Sequence, residues 1–83
     1  MKILLGIYDK KSSRYDKYFL IDLFDYNNFV KNLRLTVNDN KDVYSLYCDD
    51  FVLQSVSFFD ELGIAKHDEL VLPLSSLKEV VHE

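Results

Sequence analysis

Residues 2–24 of this chain of 83 residues have the sequence KILLGIYDKKSSRYDKYFLIDLF, two apolar runs separated by a polar segment. In the first run, Ile3, Leu5 and Ile7 recur at every second position, as in a strand with one buried face. The second run is rich in aromatic and aliphatic residues, and the polar segment is typical of an exposed turn. This stretch predicts an N-terminal β-hairpin, with Gly6 as a bulge or a point of close approach.

A helix over residues 26–37 is predicted after the hairpin. Asp25 is the expected N-cap, and Phe24 and Phe29 occupy the positions of a hydrophobic staple around it. The polar residues 38–40 should end the helix, because their side chains compete for backbone hydrogen bonds. The predicted apolar stripe consists of Tyr26, Phe29, Val30, Leu33 and Val37.

The second half of the chain predicts further strands. Residues 43–48 and 51–59 are rich in Val, Tyr and Phe and are separated by Asp49 and Asp50, so they predict two strands or one strand entered through a turn. A turn at residues 60–63 leads to a hairpin partner at residues 64–67.

The tail leaves two structures open. LVLP, residues 70–73, suits an edge strand broken by Pro73. Ser76 and Glu79 have the spacing of a capping box, which favours a short C-terminal helix including Leu77, Val80 and Val81. The expected fold is α+β, one small domain over residues 1–83. It is a mainly antiparallel sheet of four or five strands with the helix at about 26–37 on one face.

Charge is distributed unevenly along the chain, whose net charge is −4. Residues 1–36 hold seven Lys or Arg against four Asp, a balance of +3, and residues 37–83 hold three Lys against ten acids, a balance of −7. Such asymmetry suggests an anionic partner at one face or contact between copies of the chain. We therefore expect the protein to form a homo-oligomer. An ordinary solvated surface is the alternative.

Residues that could support catalysis or bind a metal are few. His67 and His82 lie in different segments, and neither accompanies Cys48 in a nucleophile motif. Cys48, Asp49, Asp50 and His67 match no zinc or calcium spacing. With only two glycines there is no phosphate-binding loop. We therefore expect no enzymatic activity, no metal and no cofactor.

The cysteine content and the hydropathy of the chain bear on its location. A single cysteine cannot form an internal disulfide, and no signal peptide or membrane-spanning apolar run is recognisable. The expected location is the cytoplasm, without contact with a membrane.

Positive charge and aromatic rings are concentrated in residues 6–18, which we call the basic tyrosine segment. Cations of this kind neutralise phosphates, and tyrosine rings stack on unpaired bases at about 1 to 3 kcal/mol per base. The pattern predicts a site for single-stranded nucleic acid, whereas the bland interpretation is half-buried tyrosines beside a solubilising turn. The predicted site residues are Tyr8, Lys10, Lys11, Arg14, Tyr15, Lys17 and Tyr18.

Several short motifs resemble the small nonstructural proteins of gokushoviruses, microvirus phages with single-stranded DNA genomes, some of which infect chlamydiae. They are LLGIYDKK at residues 4–11, Asp50 and Phe51 ahead of a strand, Val-Asn-Asp at residues 37–39, and FFDELG at residues 58–63. The chain departs from that family at residues 18–20, where prolines are usual, and after Leu70.

The resemblance implies a non-capsid protein, made in the host cytoplasm during infection, that acts in producing or packaging the single-stranded genome. Together with the basic tyrosine segment, it predicts binding of single-stranded DNA and contact with phage or host replication or packaging proteins. The alternative is a protein-interaction adaptor or host-directed inhibitor that uses the acidic half, residues 39–83, and does not bind nucleic acid.

Overall fold

The computed structural model describes residues 1–65 and 68–79, whose strands form one antiparallel sheet. β1 lies at its centre between β2 and β3, while β4 and β5 both pair with the far side of β3. The predicted α+β fold is confirmed. In chain order the elements are β1 (Lys2–Asp9), β2 (Arg14–Asp22), α1 (Tyr26–Val37), α2 (Val43–Leu46), β3 (Phe51–Asp60), β4 (Gly63–Ala65) and β5 (Val71–Pro73).

The core lies between the sheet and α1. Ile3, Leu5 and Ile7 of β1 are fully buried, and Leu33 and Val37 of α1 pack against them, as their spacing predicts. Burial of side chains of this size stabilises the fold by about 1.5 to 3 kcal/mol each, so this alternation fixes which face of the hairpin α1 covers.

α1 spans the predicted residues 26–37 with Asp25 at the N-cap position, but the details of its start differ from the prediction. A turn of 3-10 helix at Leu23–Asp25 precedes it, and the Asp25 side chain makes no capping hydrogen bond. Phe24 is 93% exposed, so the predicted staple with Phe29 is wrong. The extra turn directs Leu23, instead of Phe24, against the core.

The strand predicted over residues 43–48 is also wrong, because Val43–Leu46 is the short helix α2. The Asp42 carboxylate accepts the N–H of Tyr44 at 2.8 Å, which caps the helix. The Tyr44 side chain is buried and contacts the ring of Phe51 edge-on. Capping and burial of one aromatic side chain therefore override the strand propensity of this segment.

The tail follows the edge-strand alternative at residues 71–73, which form β5. A 3-10 helix, Leu74–Leu77, comes next and buries both terminal leucines, but Lys78 is extended. The predicted capping box is therefore not formed. Val80 and Val81 lie outside the described residues, as do His67 and His82.

Asn38 connects this tail to the end of α1. Its side-chain amide donates to the carbonyl oxygens of Arg34 and Leu77 at 2.8 and 2.9 Å, and its Oδ1 accepts the N–H of Glu79 at 2.8 Å. Asn38, which the sequence predicted only to end the helix, thus also holds the tail in place through Leu77 and Glu79.

Candidate nucleic-acid interface

The sheet face turned away from α1, which we call the open face, carries the tyrosines of the basic tyrosine segment. Tyr8 lies directly opposite Tyr15 of β2, and Gly6 lies opposite Tyr18. Because alternate residues of a strand share a face, these positions lie on the side away from the buried Ile7. None of the three tyrosines belongs to the core, since Tyr8 and Tyr15 are half-buried and Tyr18 is 57% exposed.

A β-bulge brings Tyr15 and Tyr18 to the same face. Three residues apart, they would point to opposite faces of a regular strand. The pairing of β1 with β2 shifts between Ile7 and Tyr8, which leaves Asp16 without a partner in β1. One extra residue reverses the alternation, so both rings reach the open face.

The three rings form a continuous tyrosine cluster, defined as Tyr8, Tyr15 and Tyr18. The centroids of Tyr8 and Tyr15 are 5.3 Å apart in an edge-on arrangement, and those of Tyr15 and Tyr18 are 5.2 Å apart with a tilt of 38°. The hydroxyl of Tyr15 donates to Oε1 of Gln54 at 2.9 Å. Tyr15 lies so close over Gly6 that a Cβ there would stand 2.4 Å from its Cδ1 atom. The central ring is therefore fixed, between the half-buried ring of Tyr8 and the exposed ring of Tyr18.

The surroundings of the tyrosine cluster are uncharged. In the paired register, the charged residues of the open face are Lys2 and Asp22, whose side chains lie 3.6 Å apart at the other end of the sheet. The neighbours of the tyrosine cluster on this face are Leu4, Leu20, Val52, Gln54, Val71 and Pro73.

Two of the predicted phosphate-binding cations do not lie beside the tyrosine cluster. The ammonium nitrogen of Lys11 is 3.3 Å from a carboxylate oxygen of Asp50 and 5.5 Å from the centroid of Tyr47. Lys17 pairs with the buried Ile7, and its ammonium lies 5.5 Å from the ring centroid of Tyr44 on the side of α1. The structure therefore divides the seven predicted residues between two faces.

Lys10 and Arg14 remain at the tip of the hairpin. Lys10 continues the period of Tyr8, and its backbone N–H donates to the carbonyl oxygen of Asp50 at 2.9 Å. Arg14 pairs with Asp9 in the register and is exposed. Within the described part of the chain, neither cation has a carboxylate at ion-pair distance. Because Asp9 shares the face of the buried Ile7, the register places Arg14 on the side of α1, so Lys10 is the cation best placed to reach a phosphate beside the open face.

Except for Asp22, which lies at the other end of the sheet, the acidic residues of the hairpin lie at its turn and on the side of α1. The Asp9 carboxylate accepts a hydrogen bond from the N–H of Lys11 at 2.9 Å. This bond and the left-handed backbone conformation of Ser13, with φ 57°, shape the turn. Asp16 accepts a hydrogen bond from the hydroxyl of Tyr44. Burial, this hydrogen bond and the nearby carboxylates raise the pKa of Tyr44 above its usual value. The tyrosine cluster is thus screened from these carboxylates by the sheet itself.

Other chemistry finds little support in the described ranges 1–65 and 68–79. No group of three His, Cys, Asp or Glu residues there could hold a metal ion. Cys48 is a half-buried free thiol. Neither α1 nor α2 has the length and apolar content needed to cross a bilayer.

Sequence reasoning missed Gln54 as the partner of Tyr15, because a cross-strand contact over 39 positions depends on strand register and leaves no local pattern.

Comparison of the chain with protein-family models, with curated proteins and with solved structures gave no match.

Proposed function

We propose that this protein binds single-stranded DNA on its open face. The tyrosine cluster supports the proposal, because it presents the half-buried ring of Tyr8 and the exposed ring of Tyr18 around a fixed central ring, and its neighbours in the paired strands are uncharged. Bases would stack on Tyr8 and Tyr18, and Lys10 would contact a flanking phosphate. Lys11, Arg14 and Lys17, directed elsewhere, are left out of the interface.

One chain is expected to bind single-stranded DNA weakly, because it offers few rings and few cations to the strand. Two stacked bases contribute about 2 to 6 kcal/mol, which corresponds to a dissociation constant of about 40 μM to 30 mM for one chain. One phosphate contact gives a slope of about −0.7 for log K against log salt. This dependence is weaker than four neutralised phosphates would produce.

The resemblance to gokushovirus nonstructural proteins supplies the biological setting of the proposal. The protein would act in the cytoplasm of an infected host during production or packaging of a single-stranded genome. Weak binding by one chain favours action as a homo-oligomer, because several linked sites raise the total affinity.

Fluorescence anisotropy with a labelled oligothymidine, titrated over a range of salt concentrations, tests the proposal. Tyr18→Ala should weaken binding about 5- to 150-fold at every salt concentration. Lys10→Ala should bring the salt slope close to zero. Lys31→Ala, which removes an exposed cation of α1, is the matched control and should change neither quantity.

Two results would reject this function. One is the absence of binding at about 50 mM salt, where electrostatic attraction is still strong. The other is unchanged affinity in both the tyrosine and the cation variants, which would place any DNA contact on a different surface. Either result favours the alternative of an adaptor or host-directed inhibitor.

A further inference from the structure

Gln54 is the polar neighbour of the tyrosine cluster on the open face. It lies opposite Gly6 of β1 and Val71 of β5 in the paired register. The other neighbours of the tyrosine cluster in the described strands have aliphatic side chains, which have no hydrogen-bonding groups. Among these neighbours, Gln54 is therefore the one whose side chain can hydrogen-bond to the edge of a base.

The side-chain amide of Gln54 is oriented by Tyr15. Its Oε1 accepts a hydrogen bond from the Tyr15 hydroxyl at 2.9 Å, which turns Nε2 away from that hydroxyl. Within the described residues Nε2 has no hydrogen-bond partner, and no side-chain nitrogen or oxygen there is both buried and without a partner. Nε2 is therefore accessible to solvent, and it offers two N–H donors on the open face.

Gln54 lies within reach of a base stacked on Tyr8. Tyr8 pairs with Val52 of β3, and Gln54 is two positions further along the same strand, on the same face. Diagonal neighbours of this kind are about 7–8 Å apart, a distance that a long side chain can span. A base that covers the ring of Tyr8 would therefore have an edge close to Nε2 of Gln54.

A group that only donates distinguishes two classes of base. Thymine, uracil and guanine have a carbonyl oxygen where cytosine and adenine have an amino group. The oxygen accepts a hydrogen bond, whereas the amino group is itself a donor. A glutamine that is free to turn can also accept from an amino group, as in its paired contact with adenine. Here the Tyr15 hydroxyl engages the amide oxygen and holds the donors towards the base.

We propose that Gln54 determines the base specificity of the DNA site, so that strands of the keto bases thymine, uracil and guanine bind more tightly than strands of adenine and cytosine. Nε2 of Gln54 donates to the carbonyl oxygen of a base stacked on Tyr8, and Tyr15 is a positioning residue that orients the amide. This inference rests on the proposed binding of single-stranded DNA and adds the class of base that is preferred.

Two matched pairs of oligonucleotides test the preference. Oligodeoxyuridine and oligodeoxycytidine of equal length differ on the hydrogen-bonding edge of a pyrimidine, and oligodeoxyinosine and oligodeoxyadenosine differ there on a purine. One hydrogen bond between neutral groups should make the keto strand of each pair bind about 2- to 12-fold more tightly. NMR titration of isotope-labelled protein measures such weak binding, and the side-chain amide signals of Gln54 should shift more with the keto strand.

Three variants assign the preference to this amide. Gln54→Glu keeps an oxygen for the Tyr15 hydroxyl but replaces the donor by a second oxygen. It should bind every strand more weakly, because a carboxylate repels phosphates, and should prefer the amino strand of each pair. Tyr15→Phe keeps the ring but removes the orienting hydroxyl, so the preference should fall below about twofold. Asn28→Asp makes the same amide-to-acid change at an exposed position of α1 and should keep the original preference.

Two results would overturn this inference while leaving DNA binding in place. One is equal affinity for the keto and amino strands of both pairs, and the other is a keto preference that survives in Gln54→Glu. A keto preference retained in full by Tyr15→Phe would overturn the positioning role of Tyr15. If the unmodified protein binds none of the oligonucleotides, the proposed function itself is rejected, and the base preference is rejected with it.

Discussion

Gly6→Ala should displace the ring of Tyr15, which packs over Gly6, and so disrupt the tyrosine cluster. The new Cβ would lie 2.4 Å from Cδ1 and 2.6 Å from Cε1 of Tyr15, whereas carbon atoms prefer separations of about 3.5 to 4.0 Å. The ring must therefore move by about 1 Å or more. Its hydroxyl is bonded to Gln54 and its edges contact two other rings, so the displacement breaks contacts on several sides.

Three contributions set the size of the effect. Overpacking of this kind costs about 1 to 3 kcal/mol. Loss of the Tyr15–Gln54 hydrogen bond adds about 0.5 to 1.5 kcal/mol. Replacing glycine by alanine in a strand returns about 0.5 to 1 kcal/mol. The free energy of unfolding should thus fall by about 0.5 to 4 kcal/mol, which in a domain of this size lowers Tm by roughly 2 to 30 °C.

A double-mutant cycle measured by urea unfolding isolates the contact. In a Tyr15→Ala background the obstructing ring is absent, so Gly6→Ala should be neutral or stabilising by up to about 1 kcal/mol. Gly63→Ala is the matched control. Gly63 has φ 128° with no atom within 4 Å of the position that a Cβ would occupy, so its substitution should be destabilising through backbone strain, equally with and without Tyr15.

Additive effects of Gly6→Ala and Tyr15→Ala would refute this reasoning, because they would mean that the two residues do not touch. Strong coupling between Gly63 and Tyr15 would also argue against it, since a general loss of cooperativity would then explain both results.

Three further predictions concern the other side of the sheet and are all measured by urea unfolding. Leu74→Ala, at a fully buried position, should cost about 2 to 5 kcal/mol, whereas Leu62→Ala, at a side chain 98% exposed, should stay within about 0.5 kcal/mol. The pKa of Tyr44 is raised on folding by burial and by Asp16, so its contribution to stability is complete below about pH 10 and declines as pH rises above it. Tyr44→Phe should reduce that alkaline loss, and an identical pH profile in both proteins would contradict the assignment. Asn38→Ala should cost about 1 to 3 kcal/mol by leaving the tail carbonyl and amide groups without their partner, and a change below about 0.5 kcal/mol would show that the tail is held by its leucines alone.

Local patterns predicted much of the architecture. The period-two residues Ile3, Leu5 and Ile7 and the helical stripe ending at Val37 predicted the hairpin, α1 and the face on which they meet. These patterns suffice because burial of one face is a property of consecutive residues, whatever the partner strand.

The local predictions failed where capping and packing outweighed propensity. Val43–Leu46 is helical because Asp42 caps it and Tyr44 is buried against Phe51. Phe24 is exposed because a 3-10 turn places Leu23 against the core instead. In both cases we infer that packing contributes more than the local propensity of the residues. Strand propensity differs between residue types by only about 1 kcal/mol over the whole scale.

The sequence by itself determined that cations and tyrosines are concentrated around one turn, and that the hairpin has a buried face. Only the tertiary structure decided how these cations and tyrosines are divided between the two faces of the sheet. A bulge at Asp16 carries Tyr15 and Tyr18 to the open face and turns Lys17 towards α1. The physical reason is that strand register assigns every side chain to a face, and a single unpaired residue reverses that assignment for all residues beyond it.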